Sequence, residues 1–346
     1  MKVGLLVSRS GPAGLWAPPF DTGALLAAAE LNAKGGVLGD GIEVVIADAG
    51  ITETEASAAS GTLVDLDEVD AIVAMHPSNV RSAVKREVAG RVPYIYTPQY
   101  EGGERAPCTA AIGSTDEEML RPSIRWLVDS KHAQRFFLVG NDYVWPRAAH
   151  QKATAIAHAV GASIVGECFM PFGVEDYAPI LGAIRRARPD VVIMTLLGVE
   201  AARFNRAFAQ SHLAAGILRF GLGVDETVLY ATGPEHAENL FTALNYVPSI
   251  RSAANDHFLE LYHGGFGDAA PPAGVMSQFG YDGMHVVAGL ASSIGKSDAV
   301  SLARGLRGPI SRSAARRTLP ATPLGTTPPI HVAAADGTEF RVISSH

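Results

Sequence analysis

Short apolar runs rich in Val, Ile, Leu and Ala alternate along the chain with longer segments whose apolar positions recur at helical spacing. Runs that are apolar at successive positions, rather than at every second one, suit strands buried on both faces, and with helical segments between them they predict parallel sheets covered by helices. The expected strands are Val3 to Ser8, Glu43 to Asp48, Ala71 to Met75, Pro93 to Thr97 and Thr109 to Gly113. The series then restarts with Phe136 to Val139, Ser163 to Cys168, Asp190 to Leu196, Leu218 to Leu222 and Leu240 to Leu244. Two such series predict an α/β protein of two doubly wound parallel-sheet lobes.

Local signals mark the joints. Thr52 with Glu55 and Thr115 with Glu118 have the spacing of capping boxes, in which each side chain satisfies the other residue's free N–H, and the second box stands where the series restarts. Helices are expected over Ala253 to Tyr262 and Ser277 to Ser293, followed by a proline-rich stretch from Pro320 to Pro329. Ile330 to Ala334 and Thr338 to Ile343 flank Asp336-Gly337, which predicts a closing hairpin that joins one of the sheets.

Composition adds limits. The chain has 346 residues, more than one ordinary core accommodates, so two domains are expected. With 47% hydrophobic and 18% charged residues it is globular rather than disordered. A net charge of −7 without a dense Lys/Arg cluster argues against direct nucleic-acid partners, and the lack of a long apolar run argues against membrane insertion. The chain enters its first strand at Val3 with no leader of the secretory kind, so a cytoplasmic location is expected as it stands, and a periplasmic one if a leader has been removed. Cys108 and Cys168 lack metal-site spacing and read as two buried free thiols.

Enzyme motifs fail on context. Gly289 to Ser297 has five residues between its glycines and follows a helical segment, so it is no phosphate loop; Gly295 reads as a helix C-cap. Gly35-Gly36 follows a helix and reads as a stop and turn. No nucleophile elbow and no helical pair of metal-ligating residues occurs, so no catalytic residue, metal or cofactor is assigned, and an enzyme with an unrecognised site remains the remote alternative. Polar and aromatic residues instead collect after strands, where open α/β sheets bind ligands. His76, Ser78, Tyr96, Pro98 and Gln99 do so in the first series; Tyr143, Trp145 and Asp225 do so in the second. Ser78 and Asp225 have the bland alternative of helix N-caps, and Trp145 that of a core residue. On an extended segment Tyr143 and Trp145 would face the same way, with Val144 turned inward and Pro146 beginning the helix.

Val3 to Ser8 followed by Ser10-Gly11, then Gly23 to Leu26 and Glu30 to Gly36, resembles the opening of type I periplasmic binding proteins of the branched-chain amino acid, urea and amide group. Tyr96 to Gly102 and Gly140 to Arg147 are similar to the short-chain amide and urea subgroup, which includes the amide sensor of the amidase operon. The resemblance runs from about Val3 to Leu290. It implies two lobes joined by a hinge of three crossovers, lobe 1 being residues 1–114 plus 246–328 and lobe 2 residues 116–245 plus 329–346, with the ligand cleft between them. It also implies non-catalytic binding of a short-chain amide, urea-like compound or amino acid: Ser78 and Tyr96 hold the polar end, Tyr143 and Trp145 form a wall, and Leu197-Gly198 offer backbone groups. The expected partner is an ABC permease or, alternatively, a regulatory protein, with the chain then acting as cytoplasmic negative regulator of an amidase or nitrile-converting operon. The pattern departs at His76 and Trp145, where amide sensors carry tyrosine, and near Gly223, where they carry threonine.

Overall fold

A computed structural model describes residues 1–306 and 328–346; the part of the proline-rich stretch before residue 328 lies outside them. The chain divides into two compact units, one of Met1–Gly113 with Arg251–Pro328, the other of Ser114–Ile250 with Pro329–His346. Ser114 and Tyr246 to Ile250, expected with the first series, group with the second unit. Tyr246 and Val247 are fully buried as they leave the last parallel strand, and the Ser249 hydroxyl donates to the Phe340 carbonyl at 3.2 Å.

The first unit contains β1 (Lys2–Val7), α1 (Ala17–Ala33), β2 (Glu43–Asp48), α2 (Glu53–Asp65), β3 (Ala71–Met75), α3 (Ser78–Val88), β4 (Tyr94–Tyr96) and β5 (Thr109–Ala111). The later segment adds α9 (Ala253–Phe266), α10 (Val275–Ile294) and α11 (Ala299–Gly305). The second unit contains α4 (Asp116–Lys131), β6 (Arg135–Asn141), α5 (Val144–Ala159), β7 (Ser163–Met170), α6 (Ala178–Ala187) and β8 (Val191–Thr195). It continues with α7 (Gly198–Gln210), β9 (Leu218–Leu222), α8 (Glu226–Thr232), β10 (Leu240–Leu244), β11 (His331–Asp336) and β12 (Glu339–Ser345).

The sheets follow one plan. In the first, strands run β2-β1-β3-β4-β5, all parallel; in the second, β7-β6-β8-β9-β10 repeats that order and is extended by the antiparallel pair β11 and β12. The central strands β3, β8 and β10 are buried at every position, whereas the edge strand β2 has no fully buried position. Both expected capping boxes form, at Thr52 and Thr115. Gly295 ends α10 in the left-handed region, which only glycine enters without a Cβ penalty. The closing hairpin turns through Gly337-Thr338, one residue later than expected, because Asp336 is still paired with Glu339. Cys168 is half-buried rather than buried; Cys108 is buried as expected.

Helices α1 and α10 cross at two glycines. A Cβ on Gly23 would lie 1.8 Å from the Ser277 carbonyl oxygen, and one on Gly280 would lie 2.1 Å from that of Phe20. Helix propensity favours alanine over glycine by about 1 kcal/mol. Backbone cannot step aside as a side chain can, so overpacking by about 1–3 kcal/mol should win. Urea denaturation of Gly280→Ala should therefore show a net loss of stability; a gain would contradict the close crossing.

Candidate functional site

A strand order of 2-1-3-4-5 reverses direction between its first and third strands, and crevices open at the carboxyl ends of the strands beside that reversal. Here those strands are β1 and β3 in one unit, β6 and β8 in the other. The helices leaving β3 and β8 are α3 and α7. Their N-cap positions are held by Pro77 and Leu197, whose side chains carry no hydrogen-bond acceptor, and no side chain caps either helix. Helices α2, α4 and α8 start differently, each under a side-chain oxygen from Thr52, Thr115 or Asp225. The first N–H groups of α3 and α7 are therefore left for an outside acceptor, in a place where the helix dipole favours one.

The polar residues around α3 form one network. The neutral His76 ring donates from Nδ1 to the Pro77 carbonyl at 3.0 Å, since that oxygen can only accept, and Nε2 then accepts from the Tyr94 hydroxyl at 2.8 Å. The Tyr96 hydroxyl donates to the His76 carbonyl at 2.8 Å. Burial pushes the Tyr96 phenol up to about 12. Ser78 is the first residue of α3, not its cap, and its hydroxyl donates to Glu101 Oε2 at 2.8 Å. Arg81 lies over the rings of Tyr96 and Tyr100, 4.9 and 5.2 Å from their centroids, and pairs with Glu101 at 2.5 Å and Glu104 at 3.5 Å. Lys85 joins Glu104 at 2.9 Å, so two cations meet two carboxylates and the cluster carries no net charge. Pro98 is buried with its carbonyl against Gly113, and Gln99 is half-buried.

In the second unit the loop before α7 is fixed by Asn141 at the end of β6. Its Oδ1 accepts from the Leu197 N–H at 2.9 Å and its amide donates to Glu200, whose other oxygen accepts from the Gly173 N–H at 2.5 Å. Gly198 takes a positive φ of 30° as it opens α7. Helix α5 begins at Val144, before Pro146, so the segment is not extended. Val144 is exposed at 47%, while Tyr143 and Trp145 are buried at 9% and 4%. The Trp145 indole donates to Asp116 Oδ1 at 2.8 Å, which ties the ring to α4 of its own unit. Tyr143 packs on Trp145 and on Phe172, with centroids 6.2 and 5.4 Å away. Asp225 caps α8 by accepting from the Val228 N–H at 3.0 Å. Beside it Glu226 is buried with neither carboxyl oxygen hydrogen-bonded, and burial raises its carboxyl well above the usual range.

One constellation has the outline of a catalytic relay. His150 lies between Glu167, 3.0 Å from Nδ1, and Thr195, 3.0 Å from Nε2. Thr195 is 1% exposed, and a Cβ placed on Gly140 would come within 2.6 Å of its hydroxyl. A substrate carbon has no room beside that oxygen, so the group acts as a tie between β7, α5 and β8, with His150 and Thr195 buried and Glu167 at the surface. Among the described residues no group of His, Cys, Asp and Glu has the arrangement of a metal site.

The structure thus gathers His76, Ser78 and Tyr96 around one helix start, and Leu197 and Gly198 at the equivalent start in the second unit. It gives His76, Tyr96, Trp145 and Asp225 hydrogen-bonding partners inside their own units. Sequence reading missed Arg81, Tyr94, Glu101, Asn141 and Glu200. Asn141 and Glu101 stood inside the quoted segments Gly140 to Arg147 and Tyr96 to Gly102, and their polar side chains next to expected strand ends were the available signal.

Burial holds the His76 imidazole down at about 4, against an ordinary value near 6.5. A depressed folded value means that the unfolded chain takes up the proton first, so stability is complete above pH ~6.5 and falls as pH drops toward 4. The full loss is about 3 kcal/mol from this group. The unfolding free energy of the wild type relative to His76→Gln should decline by that order between pH 7.5 and 4; a constant difference would contradict the buried neutral ring.

A family model described as periplasmic binding protein matches residues 1–337. Among similar solved structures, an ABC transporter substrate-binding protein from Sphaerobacter thermophilus is 22% identical over 100% of this chain and 97% of its own, with a TM-score of 0.80. A solute-binding protein of an ABC transporter from Rhodopseudomonas palustris, in complex with 3,4-dihydroxybenzoic acid, is 23% identical over 100% and 97%, with a TM-score of 0.82. A leucine-binding protein from Thermotoga maritima is 18% identical over 100% and 98%, with a TM-score of 0.83. The repeated strand order, the closing hairpin and a match over nearly the whole length agree: the chain belongs to the periplasmic binding protein family and has the fold of its type I members.

Proposed function

We propose that the chain binds a short-chain amide or urea-like molecule at its strand ends and releases it unchanged, as the substrate-binding component of an ABC importer acting in the periplasm. The observation that carries the reading is the pair of uncapped helix starts at equivalent places, α3 under Pro77 and α7 under Leu197, while α2, α4 and α8 are capped. A ligand oxygen supplies the acceptor that those N–H groups lack. Ser78, Gly198 and the loop of Pro98 and Gln99 are the proposed contacts. Tyr143, backed by Trp145, adds an aromatic surface, and His76 and Tyr96 brace the start of α3, while Asp225 caps α8.

Two similarities bear on the ligand. One of the solved structures is a complex with 3,4-dihydroxybenzoic acid and another is a leucine-binding protein, so the ligand of this chain has to be read from its own residues. Around α3 the charges cancel and His76 is neutral, which suits an uncharged polar end. An amino acid is the second reading, favoured by the buried, unbonded Glu226, which an ammonium group would satisfy.

Thermal and chemical unfolding with a panel of short-chain amides, ureas and amino acids tests the proposal. A ligand at 100 times its dissociation constant should add about 2.7 kcal/mol to stability. NMR of the mixture should recover that ligand unchanged after long incubation. No stabilisation by any compound, or conversion of the one that binds, would contradict it.

A further inference from the structure

Resting on the proposed binding at α3, we infer that Glu101 is a specificity-determining positioning residue: it accepts the hydrogen bond of the Ser78 hydroxyl, leaving Ser78 able only to accept from the ligand. Glu101 is ion-paired with Arg81 at 2.5 Å, and a carboxylate so paired has no proton to give. Across the 2.8 Å contact the hydroxyl must therefore be the donor. The competing acceptor is the Tyr96 phenol beside Ser78, whose own proton goes to the His76 carbonyl at 2.8 Å. A carboxylate is the stronger acceptor, so the Ser78 hydroxyl donates to Glu101. One Ser78 lone pair faces the Arg81 guanidinium at a long 3.4 Å, and the other is the acceptor proposed for the ligand.

The place then offers N–H donors from the start of α3 beside one hydroxyl acceptor. A carboxylate can use only the donors, and meets a lone pair where it needs a proton. Arg81 and Lys85 bring it no counter-charge, being matched by Glu101 and Glu104. A carboxamide or urea group, with a carbonyl oxygen and an adjacent N–H, matches both. Discrimination between a carboxamide and its isosteric acid is thereby set by a side chain that does not touch the ligand.

Calorimetry on the full chain with two matched pairs, isobutyramide against isobutyrate and benzamide against benzoate, reads the effect at pH 7.5. The amide of at least one pair should bind at least tenfold more tightly than its acid. In Glu101→Gln the new amide donates to Ser78 and frees its proton, so the ratio should fall at least tenfold. Ser78→Ala, which leaves the Arg81–Glu101 pair in place, should also lose the preference and serves if the first variant does not fold. A wild-type preference for the acid, or an unchanged ratio in a folded variant, overturns the inference while leaving small-ligand binding intact. If none of the four probes binds and the wider panel is equally silent, the binding proposal falls and takes the inference with it.

Discussion

Two parallel strands cannot be joined by a tight turn, and the rest of this structure depends on that constraint. Each strand must return through a crossover, so every strand of the first five in each sheet delivers its chain to the same edge and hands it to a loop and a following segment. The apolar residues are used up in covering both sheet faces, and polar chemistry is driven to the carboxyl ends. His76 and Ser78 after β3, Asn141 at the end of β6 and Leu197 and Gly198 after β8 are all placed by this rule. What distinguishes these ends from one another is how the next helix begins. Threonine or aspartate closes some of them internally; proline and leucine leave the starts of α3 and α7 open, and α5 and α6 also begin without a side-chain cap.

Around the first open start, almost every polar atom has an assignment. His76 joins Pro77 to Tyr94, Tyr96 holds the His76 carbonyl, and Arg81 gathers two glutamates over two tyrosine rings. A buried network that is satisfied throughout is rigid, because moving any member strands a partner in a low-dielectric interior at a cost of about 1–3 kcal/mol. Rigidity of that kind keeps a few open groups, the α3 N–H donors and one serine lone pair, in fixed positions without spending ligand affinity on ordering them.

Much of the fold was legible in the sequence, and particular residues show why. Ala71 to Met75 is apolar at consecutive positions, and Leu240 to Leu244 at all but Thr242, because both faces are covered, and the capping boxes at Thr52 and Thr115 are local in sequence. The candidate site was legible in its neighbourhood but not in its roles. Trp145 looked like a ligand wall because its partner Asp116 stands 29 residues earlier, and nothing in the local segment announces the indole bond. Val144 was expected to turn inward on an extended strand, but the helix starts one residue before Trp145 and swings it out to 47% exposure. Ser78 read as a cap or a donor because Glu101, 23 residues on, decides where its proton goes. Pairings across loops follow from strand order, which local patterns do not encode.

Backbone amide NMR during titration with isobutyramide, or with whichever amide stabilises the chain most, addresses the central claim directly. If the starts of α3 and α7 take part in binding, the amide protons of Ser78 and Asn79 in α3 and of Gly198 in α7 should shift, while those of Glu53 in α2 and Asp116 in α4, beneath their threonine caps, stay in place. Saturable binding that leaves the first set unmoved and shifts amides elsewhere would contradict the account.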